Sequence, residues 1–153
     1  MPLEKTMYKR ILVATDGSKL SQMAVNHAIR LADITGAEVV AMKVVPRYPQ
    51  TYFEGGVALA AAEVAKIEAQ WQAEAMEAVN EVKSAGQKLE VKVKPITVKS
   101  DLISDAIIAA AKRNKCDLIV MASHGRKGIK RLLLGSETQQ VLTHSHIPVL
   151  VLR

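Results

Sequence analysis

Apolar residues fall along this chain in two alternating rhythms. Short runs are apolar at consecutive positions, as in strands buried on both faces; between them lie longer stretches with apolar residues three or four apart, as on helices. The first run, Tyr8 to Thr15, centres on Ile11-Leu12-Val13-Ala14 and predicts a central strand. Thr15-Asp16-Gly17-Ser18 reads as a turn with Ser18 at a helix N-cap. The helix then runs to about Thr35, with Leu20, Ala24, Ala28, Leu31 and Ala32 inward and Gly36 as its stop. Val39 to Val45 is a second strand, stopped by Pro46. The loop from Pro46 to Gly56 holds Tyr48, Tyr52 and Phe53. A long helix follows from Val57 to Ser84, with Val57, Ala61, Val64, Trp71, Ala75, Ala78 and Val82 on one face and Gly86 as its end. Trp71 and Met76 read as core.

The third strand, Leu89 to Val98, has a different pattern. Glu90, Lys92 and Lys94 alternate with apolar residues and Pro95 interrupts it, both signs of a sheet edge. Asp101 is placed to cap the next helix, whose inner positions include Ile103, Ile107 and Ala110, with Lys112, Arg113 and Lys115 toward its end. Leu118 to Met121 is the fourth strand, and Pro148 to Leu152 the last. Strands and helices thus alternate, which predicts one α/β domain over 1–153 with a parallel sheet and right-handed crossovers.

The stretch from Leu118 to Thr138 carries the candidate chemistry. After the strand comes a basic loop with Gly125, Gly128 and Gly135 and the cations Arg126, Lys127, Lys130 and Arg131. Ser136 reads as the N-cap of the next helix, to about His144, with Gln139 completing a capping box. Glycines, helix-terminal N–H groups and cationic side chains together describe an anion site, most simply for phosphate. The net charge of +6 fits an anionic partner. Aromatics are only 3% of the chain, which argues against stacking on single-stranded nucleic acid. No apolar run reaches the ~20 residues of a membrane span. The first residues lack a secretory apolar core, and Cys116 is the single cysteine. A cytoplasmic protein without nucleic-acid or membrane partners is expected.

Neither G-x-G-x-x-G after the first strand nor G-x-x-x-x-G-K-[ST] occurs. Instead, Ala122-Ser123-His124-Gly125, nine residues, then Gly135-Ser136 resembles the nucleotide loop of the universal stress protein family. Lys9 to Ser18 resembles that family's opening strand and turn, Cys116 to Met121 its fourth strand, and Ile147 to Val151 its last. The resemblance implies an open five-stranded parallel sheet in the order 3-2-1-4-5 with helices on both faces, like the adenine nucleotide alpha hydrolases. This order agrees with the edge character of the third strand. It implies ATP as ligand, with Mg²⁺ or Mn²⁺ carried on the phosphates. Adenine is expected near the backbone of Val44, with Ala14, Thr15 and Asp16 on the adenosine side and Met121 and Ala122 under the ribose. Ser123 and His124 belong to the same turn. Gly125, Gly135, Ser136, Glu137 and Thr138 are expected around the phosphates, and charge and position add Arg126 and Lys127. Ala122 departs from the family's ATP-binding pattern, which has glycine there; a methyl group would matter if that position needed a positive φ.

No catalytic constellation emerges, so at most slow, incidental ATP hydrolysis is expected. His144-Ser145-His146 at a helix end and Cys116 before a buried strand read as structural, as does His27. The last strand is apolar on both faces yet lies at an edge in the order 3-2-1-4-5. Antiparallel pairing of Val149, Leu150, Val151 and Leu152 with a second copy, giving a homodimer, is expected. The expected role is a nucleotide-linked stress-response regulator or protective binding protein, possessing protein partners of unknown identity. A nucleotide-free dimeric interaction module of the same fold is the alternative.

Overall fold

The two rhythms become a parallel sheet covered by helices on both faces. A computed structural model of the chain describes residues 7–49, 60–125 and 134–153. In chain order its elements are β1 (Arg10–Ala14), α1 (Lys19–Thr35), β2 (Glu38–Val45), α2 (Ala61–Gln87), β3 (Val93–Lys99), α3 (Ile103–Arg113), β4 (Leu118–Ala122), α4 (Ser136–His144) and β5 (Val149–Leu152). The strands pair in parallel in the order β3-β2-β1-β4-β5. At the centre, Ile11 of β1 lies opposite Val39 of β2 on one side and Leu118 of β4 on the other.

The pleat divides the strand residues between two cores. Ile11, Val13, Val39, Ala41, Leu118 and Val120 pack with Ala24, Val25 and Ala28 of α1 and Val79 and Val82 of α2. Leu12, Val40, Met42, Ile119 and Met121 pack with Ala106, Ile107 and Ala110 of α3 and Val141 of α4. This two-sided burial explains why the central strands read as unbroken apolar runs. β3 is an edge, and it accommodates Pro95, opposite Ala41 of β2, because the outer side of the strand needs no N–H donor. At the amino ends of the strands, Glu38 pairs with Arg10 at 3.1 Å and with Lys92 at 3.5 Å. Slight burial raises its pKa, but Arg10 and Lys92 outweigh this and hold the carboxyl below its ordinary value.

Several boundaries differ from the expectation. α1 matches: Ser18 Oγ accepts the Ser21 N–H at 3.1 Å, and Gly36 closes the helix at φ 76°. The buried stripe adds Ser21, Val25 and Ile29, while Leu20 and Leu31 are only half-buried. α2 does not stop at Gly86. It passes through that residue to Gln87, because Gly86 is buried against β3: a Cβ would collide with the Val93 side chain and approach the Val91 carbonyl oxygen at 3.0 Å. Glycine here permits close packing rather than a helix stop. The chain then turns through Glu90 at φ 58°, which delays β3 to Val93. Asp101 does not cap α3; its Oδ1 accepts the Arg47 N–H at 3.0 Å, and Leu102 occupies the N-cap without a side-chain bond. Trp71 is half-buried rather than core, stacked on Tyr48 with ring centroids 6.1 Å apart. His27 is exposed on α1. Tyr52, Phe53, Val57 and the basic residues Arg126, Lys127, Lys130 and Arg131, with Gly128, lie outside the described residues. Among the described residues, no helix is long and apolar enough to cross a membrane.

Candidate functional site at the carboxyl ends of β1 and β4

β1 and β4 are neighbours, but the chain leaves them toward opposite faces, to α1 and to α4. A crevice opens at such a switch, outside the carboxyl ends of the strands. After β1, Thr15 donates its N–H to the Met42 carbonyl at 2.9 Å, extending the β2 pairing by one residue. Asp16 Oδ1 then accepts the Ser18 N–H at 2.9 Å, and Gly17 supplies φ 81°. A residue with a Cβ adopts that φ only with strain, so this is where the turn requires glycine. Buried Ser21 lies 3.2 Å, Oγ to Oγ1, from Thr15 and fixes the turn from below.

The β4 side is tied down as firmly. Ser123, buried, donates its N–H to the Leu152 carbonyl at 2.7 Å and accepts the Gly135 N–H at 2.7 Å. Ser123 Oγ lies 3.2 Å from His124 Nδ1. Thr138, only 2% exposed, donates its hydroxyl to the Ala122 carbonyl at 2.9 Å and fastens the first turn of α4 onto β4. Ala122 lies within β4 and is not among the residues with positive φ, so alanine brings no backbone strain where the family's pattern has glycine.

The two loop glycines among the described residues, Gly125 and Gly135, serve proximity. A Cβ on Gly125 would come within 2.9 Å of Asp16 Oδ2. One on Gly135 would lie 3.2 Å from His124 Cα and 3.3 Å from the Ser123 carbonyl oxygen. Gly135 itself has ordinary torsions, φ −60° and ψ 153°. The expected capping box is absent. Gly135, not Ser136, is the N-cap of α4; Ser136 is its first helical residue, and Gln139 Nε2 donates to the Leu134 carbonyl at 3.0 Å. The N-cap residue of α4 therefore gives its first turn no side-chain bond, and Glu137 and Thr138 of that turn line the cleft.

The cleft encloses about 170 Å³. Of the residues singled out from the sequence, Ala14, Thr15, Asp16 and Val44 line one side, and Met121, Ala122, His124, Gly125, Glu137 and Thr138 the other. Ser123 and Gly135 lie behind this lining and hold it, Ser136 is exposed at the start of α4, and Arg126 is outside the described residues. Four lining residues were not anticipated: Ser21, Lys43, Ile103 and Ile107. Ile103 and Ile107 stand one helical turn apart on α3, where sequence pattern assigned them only to the core. Ser21, three residues before Ala24, is the one polar residue on the buried stripe of α1, and that spacing is the signal that could have found it; nothing in the sequence pointed to Lys43.

A larger cavity, about 590 Å³, lies at the ends of β2 and β3. Three of its charged residues are engaged: Glu68 pairs with Lys99, and the Asp101 carboxylate accepts the Arg47 backbone N–H. Cys116 lies at the opposite end of β4, buried, and burial pushes its thiol up to about 11, so it is a poor nucleophile. Among the described residues, no group of three or more His, Cys, Asp or Glu could hold a metal ion.

These features define an open α/β domain with a crevice of about 170 Å³ at its switch point. The model of the universal stress protein family matches residues 7–153, and the chain belongs to that family. Universal stress protein MJ0531 of Methanocaldococcus jannaschii is 36% identical over 149 residues, covering 97% of this chain and 84% of the relative. The solved structure of MJ0577 from the same organism superposes with a TM-score of 0.77 at 27% identity, covering 95% of this chain and 96% of that one. A universal stress protein solved in complex with cAMP gives a TM-score of 0.70 at 27% identity, with 95% and 97% covered.

Proposed function

We propose that the chain binds an adenine nucleotide in the β1–β4 cleft, ATP with Mg²⁺ or Mn²⁺ on its phosphates, and serves as a nucleotide-linked regulator or protective binding protein in a stress response. The observation that carries this reading is the pairing of two unlike surfaces in one crevice. Val44, Ile103, Ile107 and Met121 offer an apolar slot for a flat base. The start of α4, where Glu137 and Thr138 line the cleft, is a helix N-terminus of the kind that favours an anion. That helix-terminal contribution favours an anion by about 0.3–1 kcal/mol when exposed and up to ~2 when partly buried. The volume of about 170 Å³ is below the ~300 Å³ of sites that enclose a drug-sized ligand, so base and ribose fill the cleft and the phosphates run along its rim. The fit of a charged tail is supported by Gly125, where a Cβ would crowd Asp16 and narrow the path. The cAMP complex of a 27% identical relative supports the same class of ligand.

The ligand supplies a base to bury and an anionic tail; the chain's own residues bind and orient. Among the described residues, the hydroxyl–imidazole contact beside the cleft, Ser123 Oγ to His124 Nδ1 at 3.2 Å, uses a buried serine behind the lining, so hydrolysis is expected to be slow and incidental. The cytoplasm is the expected location. β5 is the free edge beside β4, and Val149 to Leu152 are only half-buried. That edge is the proposed seam of a homodimer. Light scattering should then give about twice 16.6 kDa, and a monomer at micromolar concentration contradicts the seam. The same free edge favours a second reading, a nucleotide-free dimeric interaction module. A thermal-shift titration decides: ATP with Mg²⁺ should raise the Tm in a saturable way, and no shift at millimolar ligand leaves only the module.

A further inference from the structure

Glu137 stands out among the cleft residues because its carboxylate serves a different helix. It sits in the first turn of α4, yet its Oε2 accepts the Ser104 N–H at 3.1 Å, in the first turn of α3. α3 lacks a cap of its own, since Leu102 at its N-cap forms no side-chain bond. Glu137 therefore caps α3 from outside, on the helix whose Ile103 and Ile107 line the cleft. Glu137 is also one of the residues lining the cleft, beside the α4 N-terminus where the proposed nucleotide tail lies, and it is open to solvent. It occupies part of the positive end of that helix with a fixed negative charge.

We infer that Glu137 is a positioning and specificity residue that sets how much negative charge the site accepts, favouring neutral or short anionic tails over a metal-free triphosphate. This rests on the nucleotide reading above. Two unit charges repel in proportion to 1/r, and each further phosphate adds charge near the carboxylate. A divalent cation on the tail relieves the repulsion. Among the described residues, the other charged groups lining the cleft are Asp16, engaged at the head of α1, and Lys43 on the β2 side, with His124 as a further titratable group. Neither Asp16 nor Lys43 bridges α3 and α4.

The experiment is calorimetric titration of adenosine, AMP and ATP, with and without Mg²⁺, into the wild type, Glu137→Gln and Glu137→Ala. Gln keeps an oxygen for the Ser104 N–H and removes the charge. It should leave adenosine unchanged, tighten AMP roughly threefold and tighten metal-free ATP roughly tenfold, the gain shrinking with Mg²⁺ and with salt. Ala also removes the α3 cap, so it should lower the Tm and weaken adenosine. Equal changes for all three ligands in Glu137→Gln, or none, overturn the charge role while leaving the nucleotide reading intact. Failure of the wild type to bind any of the three removes both.

Discussion

Replacing Gly135 separates two reasons for a glycine. Its torsions, φ −60° and ψ 153°, suit any residue, so Gly135→Ala meets no conformational strain. Its new Cβ would lie 3.2 Å from His124 Cα and 3.3 Å from the Ser123 oxygen, a crowding that small shifts relieve. Reduced freedom of the unfolded chain contributes about 0.4–1 kcal/mol in the opposite direction. Alanine should therefore be near neutral. Gly135→Val adds two methyl groups against a neighbour that is backbone and cannot rotate away. The start of α4 must lift, breaking the 2.7 Å bond from Gly135 N–H to Ser123. Overpacking costs about 1–3 kcal/mol and the lost hydrogen bond about 0.5–1.5, so the sum is roughly 2–4 kcal/mol. For a chain of 153 residues this lowers the Tm by roughly 4–16 °C. The assay is thermal unfolding of both variants, with and without ATP and Mg²⁺: alanine keeps the Tm and the ligand shift, valine loses both. If alanine is as damaging as valine, the backbone does not yield even to the Cβ contacts at 3.2 and 3.3 Å; if valine is harmless, the close approach is not what selects glycine. Either result refutes the reasoning.

Three further outcomes follow from the same geometry. Thr138→Val removes the buried hydroxyl that reaches the Ala122 carbonyl and should cost about 1–3 kcal/mol in chemical denaturation, whereas Thr138→Ser should recover most of it. Glu38, with its pKa lowered by Arg10 and Lys92, stabilises the fold above its unfolded pKa, and that contribution disappears as pH falls through the folded value. The Tm advantage of the wild type over Glu38→Gln, modest because the pair is partly exposed, should be present at neutral pH and vanish in acid; an advantage that persists in acid contradicts the ion-pair origin. Cys116, 6% exposed with its thiol at about 11, should react with a thiol reagent at neutral pH only after unfolding in urea, and rapid labelling of the native protein would show that the end of β4 opens.

How far the sequence foretold this architecture depends on what kind of signal each residue carries. Central strands are legible because a strand buried on both faces must be apolar throughout, as at Ile11 to Val13 and Leu118 to Val120. The edge position of β3 is legible from its lysines and Pro95. The residues flanking the switch point, Asp16, Met121, Ala122 and Gly125, read from pattern only as strand ends and turn residues; the resemblance to the family supplied the strand order that brings them together. Signals that depend on a distant neighbour are not. Gly86 looks like a helix stop until β3 is seen packed against it. Asp101 and Ser136 look like caps, but Asp101 turns to the Arg47 N–H and Gly135 takes the N-cap of α4 because it must approach Ser123. Ile103 and Ile107 carry the same apolar signature whether they face a core or a crevice. Local pattern cannot separate those two environments, which differ only in what the rest of the chain leaves uncovered.

The claim at the centre is that a nucleotide spans the crevice from Val44 to the first turn of α4. Crystallising the chain with ATP and Mg²⁺ tests it most directly. The account predicts the base between Val44 and the Ile103–Ile107 face, with phosphate oxygens at the N–H groups of Ser136 to Thr138. Nucleotide bound elsewhere, or α4 N–H groups engaged by the protein's own side chains with no room beside Asp16, would contradict it.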